Sequence, residues 1–141
     1  MTIQLKRYAP MLATGDMHQT IAFYHDILGF TLGDKFESSG VISWCEMTLG
    51  PATLMFTQHE TQTDHPGARD MFGQTTIAFY IVNVEALYET LVTKDLDISE
   101  LRVTFYGMKE FELRDPTGYT LLIGEATTET PSIESDESAP F

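Results

Sequence analysis

Apolar residues recur at helical spacing in the segment from Asp16 to Gly29. Ile21, Tyr24 and Leu28 are separated by three and four residues, so they line one side of a helix. The Asp at the start is suited to cap the helix, and the Gly at the end is suited to a left-handed residue that terminates it. The pattern predicts a short helix with one apolar face.

A second segment shows the same pattern behind a possible cap at Asn83. Its apolar residues form one stripe: Val84, Leu87, Tyr88, Leu91 and Val92. Because both predicted helices are apolar on one side only, each must lie against another element.

The remaining apolar runs predict strands separated by turn signals such as Asp115-Pro116-Thr117-Gly118. The strands are expected at residues 6–13, 30–36, 41–49, 52–58, 75–82, 101–106, 110–114 and 119–123. The order is strand, helix and three strands, followed by the same order again. This duplication predicts an α+β fold of two βαβββ modules that form a cup-shaped, partly closed sheet.

The predicted organisation is one domain over residues 1–125 and a tail over 126–141. Module one covers about 5–58, a linker covers 59–73, and module two covers about 74–125. The tail is rich in Ser, Thr, Pro and acids and is predicted to be disordered.

The chain is acidic but apolar enough to fold. It has 21 acids against 8 Lys and Arg, a net charge of −13, and 43% hydrophobic residues. Such a charge repels phosphate backbones and anionic lipids, so we expect no nucleic-acid partner and no membrane partner. It permits a cationic ligand, although the acids can also serve solubility alone.

The chain shows no leader-like or membrane-spanning apolar run, which predicts a cytoplasmic protein. Its single cysteine, Cys45, lies in an apolar run and is predicted to be a buried thiol rather than a nucleophile.

Two segments resemble a known family. D-M-H-Q-T-I-A-F-Y-H-D-I-L-G-F at 16–30 and K-E-F-E-L-R-D-P-T-G-Y-T-L-L-I-G-E at 109–125 are similar to the opening helix and the closing hairpin of the vicinal oxygen chelate superfamily. This superfamily includes glyoxalase I, extradiol dioxygenases, and fosfomycin- and bleomycin-resistance proteins. The resemblance implies paired βαβββ modules, usually completed by a homodimer, and in many members a divalent ion held by four side chains.

Carried onto this sequence, the four ligand positions of the family fall on Ala9, Met55, Thr76 and Leu122. Ala and Leu have no donor atom, and Met and Thr are poor donors for a hard or borderline divalent ion. A shift of one residue along any strand restores no ligand. We therefore predict no metal and no other cofactor.

The histidines offer no clear substitute. His18 and His25 fall on the first helix, and His59 and His65 fall in the linker beside Glu60 and Asp64, in a spacing that favours solvated loop residues.

Strand alternation and residue type predict the lining of the cup. The candidate ligand-binding residues are Arg7, Trp44, Glu46, Met55, Thr57, Thr76, Tyr80, Tyr106, Glu110, Glu112 and Leu122. Phe111 and Leu113 are expected to face the core with Leu121 and Ile123, which leaves Glu110 and Glu112 facing either the cup or solvent.

Three functions are compatible with this pattern. The favoured one is a metal-independent protein that binds a small molecule of cationic or amphipathic character, similar to the bleomycin-resistance members. The alternative is a glyoxalase- or dioxygenase-related enzyme of unknown substrate, with Glu110, Glu112 or Tyr80 as acid or base. A purely structural or regulatory module would instead present an exposed apolar patch.

Overall fold

The computed structural model describes residues 1–132. The first helix begins after Asp16 and ends before Gly29, as predicted. Asp16 accepts a hydrogen bond from the backbone N–H of Gln19 at 3.0 Å and caps helix α1 (Met17–Ala22). A π-helical turn (Phe23–Ile27) continues the helix, and Gly29 follows it with a φ of +84°.

The first sheet contains strands β1 (Met11–Thr14), β2 (Thr31–Ser38), β3 (Val41–Leu49) and β4 (Ala52–Gln58). Their order in the sheet is β1-β4-β3-β2, with β1 parallel to β4 and the other pairs antiparallel. Ser39 and Gly40 both have positive φ values, of 52° and 77°, in the turn that joins β2 to β3.

The first strand is shorter than predicted, since it begins at Met11 and not at residue 6. The C=O of Pro10 accepts a hydrogen bond from the N–H of Met55 at 2.9 Å, but proline has no N–H to donate to β4. The pairing therefore stops there, and residues 1–10 belong to no helix or strand.

The core of the first unit forms around Tyr24, which is fully buried. Its ring centroid lies 4.9 Å from that of Phe56 and 5.5 Å from that of Phe30. Cys45 and Met47 are buried on the same side of the sheet. The buried face of the helix consists of Met17, Thr20 and Tyr24.

The second sheet repeats this arrangement with strands β5 (Thr76–Tyr80), β6 (Arg102–Val103), β7 (Met108–Arg114) and β8 (Thr120–Ala126). Their order is β5-β8-β7-β6, and β5 is parallel to β8. The two βαβββ modules and the α+β class are thereby confirmed, with two four-stranded sheets that do not close into barrels.

Strand β6 has two residues where 101–106 was predicted. The backbone N–H of Gly107 donates to the C=O of Thr104 at 3.3 Å, and Gly107 has a φ of +82°. This tight turn sends the chain back into β7 before β6 can extend.

The core of the second unit confirms the alternation predicted for β7. Phe111 and Leu113 are fully buried, together with Leu121 and Ile123 on β8. Phe111 contacts Tyr88 of helix α4 (Val84–Leu91), with ring centroids 5.2 Å apart. Val92, predicted within the apolar stripe, follows this helix and is 46% exposed.

The segment between the two sheets contains two short helices, α2 (Glu60–Thr63) and α3 (Ala68–Phe72). The chain divides into two compact units between Ala68 and Arg69. No helix within residues 1–132 is long and apolar enough to cross a membrane.

Ordered contacts extend past residue 125. The N–H of Thr127 donates to the C=O of Gly107, and that of Ser132 donates to the C=O of Val103, both at 2.9 Å. The rest of the predicted tail, residues 133–141, lies outside the described residues.

Candidate ligand-binding site

The face of the second sheet opposite helix α4 carries the acids of β7. Because Phe111 and Leu113 face the helix, Glu110 and Glu112 lie on the other face of this pleated strand. Glu110 is the cross-strand partner of Gly124, and Glu112 is the partner of Leu122.

A cavity of about 200 Å³ opens on this face. Its lining brings together four residues that the sequence proposed independently, Tyr80, Tyr106, Glu110 and Leu122. The other lining residues are Ala78, Phe79, Met108 and Gly124.

The close approach of Glu110 to β8 depends on Gly124. A Cβ at position 124 would lie 3.0 Å from the Cβ of Glu110 and 3.2 Å from the Cε of Met108. A larger residue would therefore crowd the side chains of Glu110 and Met108.

Glu110 is only 2% exposed, so it does not belong to a solvated strand face. The hydroxyl of Tyr106 donates a hydrogen bond to its Oε1. The Nη2 of Arg102 lies 3.6 Å from the same oxygen and 3.5 Å from Oε1 of Glu112. Two carboxylates therefore share one guanidinium, which leaves this cluster with one net negative charge when all three groups are ionised.

Tyr106 serves as a neutral donor in this cluster. Burial raises the pKa of Tyr106 to about 12, and the hydrogen bond to Glu110 and its negative charge act in the same direction. The hydroxyl thus keeps its proton at neutral pH and stabilises the buried carboxylate.

Two other candidates on this face lie outside the cavity lining. Glu112 is partly exposed beside Arg102, and Thr76 is an exposed residue opposite Thr120 in the β5–β8 ladder.

The candidates from the first unit share one face of the first sheet. Trp44 is the cross-strand partner of Thr57, and Glu46 is the partner of Met55. All four are half-buried, and Cys45 and Phe56 are buried on the other face of the sheet. Arg7, which precedes β1, reaches this face and pairs with Glu46 at 3.2 Å.

The first unit also holds a cavity of about 280 Å³ that the sequence did not predict, and none of the candidate residues lines it. It lies at the start of helix α1, lined by Gly15, Asp16, Met17, His18, Val41, Ile42, Gln58 and Glu60. In the sequence, Asp16 had indicated only a helix cap.

The four positions where the family places metal ligands do not fit a divalent ion. Met55 and Leu122 are paired strand residues, Thr76 is an exposed strand residue, and Ala9 precedes β1. This set provides one hydroxyl and one thioether, which are weak donors for Zn²⁺ or Mg²⁺. The four histidines are exposed, and residues 1–132 contain no group of three His, Cys, Asp or Glu that could hold a metal.

Solved structures with similar folds include one that was determined with a bound drug. The bleomycin-binding protein from Streptomyces verticillus, solved with copper(II)-bleomycin, is 19% identical, with 91% of this chain and 100% of that chain covered and a TM-score of 0.61. TioX from Micromonospora sp. ML1 is 15% identical, with 86% and 98% covered and a TM-score of 0.70. The virulence protein STM3117 from Salmonella typhimurium is 19% identical, with 90% and 100% covered and a TM-score of 0.64.

At these identities the likeness concerns the fold. A comparison with curated proteins gives no match. The family model described as Glyoxalase/Bleomycin resistance protein/Dioxygenase superfamily matches residues 5–123, which extend from before β1 into β8. This chain therefore belongs to the glyoxalase/bleomycin resistance protein/dioxygenase superfamily.

Proposed function

We propose that this chain is a metal-independent small-molecule-binding protein that sequesters a cationic or amphipathic compound. The observation that carries the proposal is the cavity of the second unit, where a buried carboxylate lies among aromatic and aliphatic side chains. Small-molecule sites are typically apolar hollows with a few polar groups that orient the ligand.

The chemistry of the lining favours binding over metal-assisted catalysis. The polar groups at this cavity are the carboxylate of Glu110 and the hydroxyls of two tyrosines, and Leu122 occupies a position where metal-using relatives hold a ligand. The structure of the bleomycin-binding protein with its drug supports the same class of function for this fold.

The proposal also includes a homodimer in the cytoplasm. Its support is the family resemblance together with exposed apolar side chains on the second unit that lie outside the cavity lining, such as Val82 and Phe105. Light scattering on the purified chain would test the dimer, and a monomer at working concentrations would contradict it.

The binding proposal can be tested by calorimetric titration of the purified full chain. The ligands would be metal-free bleomycin, as a bulky cationic compound, and a panel of neutral and anionic metabolites of comparable size. We expect saturable binding of cationic or amphipathic compounds and recovery of the ligand unchanged by mass spectrometry. Binding restricted to anions would contradict the proposal, and chemical conversion would favour the enzyme alternative.

A matched pair of variants locates the binding. Glu110→Gln removes the charge of the cavity but keeps an acceptor for Tyr106, whereas Glu89→Gln makes the same change on an exposed residue of α4. We expect weaker binding only in the first variant. Metal analysis completes the test, since a stoichiometric divalent ion in the purified protein would contradict metal independence.

A further inference from the structure

The size of the cavity in the second unit limits which part of a ligand it can enclose. Its volume is about 200 Å³. An engineered apolar cavity of roughly 150 Å³ in another protein holds one benzene molecule, so this space suits one ring with a small substituent. A bulky compound would place only one group here.

The charges around the cavity favour a cation. Arg102 is 14% exposed at its side chain and lies between two carboxylates, so it already serves as their counter-ion. Within the part of the chain that the structure describes, the contacts of Glu110 with Tyr106 and Arg102 both use Oε1, which leaves Oε2 to accept from a ligand. A ligand carboxylate would meet the like charge of Glu110, the acid that lines the cavity.

The aromatic residues favour a flat group. Tyr80 lines the cavity although it is 79% exposed, which places it at the opening. Tyr106 lines the cavity as well, and its hydrogen bond to Glu110 limits its movement. Planar cations bind aromatic faces through their charge and their shape.

We propose that this cavity recognises a ring-sized planar cation with N–H donors, of the amidinium class, which donates to Glu110 and lies against Tyr80. The inference rests on the proposed function, because it specifies the ligand group held by the same site. The rest of a larger ligand would extend past Tyr80.

Three fragments of nearly equal size and shape test the inference. Benzamidine carries the cation, benzamide is its neutral counterpart, and benzoate is the anion. Titrated into the ¹⁵N-labelled full chain and followed by NMR, benzamidine should bind at least about tenfold more tightly than benzamide, since bonds to a charged partner are the stronger ones. Benzoate should cause no shifts around the cavity.

Single substitutions test whether the preference for benzamidine over benzamide depends on Glu110 and Tyr80. Glu110→Gln should reduce the preference for benzamidine over benzamide to about twofold or less, while Glu89→Gln should leave it unchanged. Tyr80→Ala should weaken benzamidine severalfold, and its high exposure makes a folding defect unexpected.

The outcomes separate the two proposals. Equal binding of benzamidine and benzamide, or a preference for benzoate, would overturn the inference while leaving small-molecule binding intact. If neither the fragments nor the larger compounds of the first titration bind, the proposed function fails as well. A preference for benzamidine that survives Glu110→Gln would place the cation elsewhere and would also overturn the inference.

Discussion

The hydroxyl of Tyr106 donates a hydrogen bond to the carboxylate of Glu110, four residues further along the chain. The turn closed by Thr104 and Gly107 makes this contact possible, because it returns the chain into β7 directly after Tyr106. One of the two residues supplies a buried charge, and the other supplies a neutral donor that stabilises it. Together they form one wall of the cavity.

This relationship predicts an unusual titration of Tyr106. Its pKa is raised to about 12 by burial and then by Glu110, against a usual value of 10.0. The folded state therefore holds the phenolic proton more tightly than the unfolded state. The stability gained from this difference is fully present below pH 10.0 and is lost as the pH rises toward about 12.

Tyr106→Phe tests this titration, since it removes the ionisable group. In urea unfolding between pH 10 and 11.5, the wild type should lose more stability than this variant. In ultraviolet difference spectra, the tyrosine signal that the variant lacks should appear in the wild type well above pH 10.0. Parallel stability curves for the two proteins would contradict the prediction.

The single cysteine should be inert in the folded protein. Cys45 is fully buried, and burial raises its pKa to about 11, with partial opposition from a backbone hydrogen bond with Phe56. Because the thiolate is the reactive form, we expect labelling by an aromatic disulfide at pH 8 to be slower by orders of magnitude than for a free cysteine. The denatured chain is the control and should release one equivalent at once, whereas rapid labelling of the folded chain would contradict the prediction.

Asn83 should contribute to stability through both its backbone and its side chain. It has a φ of +63°, and its Oδ1 accepts a hydrogen bond from the N–H of Ala86 at 3.4 Å. Asn83→Ala loses the cap and puts alanine, which tolerates the left-handed region less well than asparagine, at this position, at a cost of about 2 kcal/mol. Asn83→Gly loses the cap alone and should cost clearly less. Equal urea midpoints for the two variants would rule out the backbone contribution.

Gly118 should tolerate substitution less well than Gly40, although both have a positive φ. A Cβ at Gly118 would lie 2.5 Å from the carbonyl oxygen of Arg69, whereas one at Gly40 would meet nothing within 4 Å. We expect Gly40→Ala to cost about 1–2 kcal/mol from backbone strain and Gly118→Ala to cost about 1–3 kcal/mol more from the clash. Chemical denaturation of both variants measures this difference, and similar losses would contradict it.

Local patterns predicted those parts of the fold that depend on neighbouring residues. Asp16 and Gly29 bound the first helix because capping and termination are local. Phe111 and Leu113 face the core because strand alternation has a period of two. The predicted start of β1 at residue 6 was too early, since the pairing with β4 ends at Pro10. That end depends on which residue of β4 lies beside Pro10, and the sequence does not show this.

The candidate site was only partly predictable for the same reason. An acid on an alternating strand is usually solvated, so the sequence left Glu110 facing either the cup or solvent. Its burial depends on Gly124 across the ladder, on Tyr106 within the tight turn before β7 and on Arg102 from β6. No spacing along the chain shows these three contacts.

The sequence by itself determined the duplicated βαβββ order, the apolar face of each sheet, and the poor donor set at the four family metal positions. Those properties follow from residue type and from periods of two and 3.6 residues. Only the tertiary structure decided that Glu110 is buried in a cavity and that Glu112 is partly exposed. That choice depends on cross-strand register, which brings a glycine opposite one acid and a leucine opposite the other.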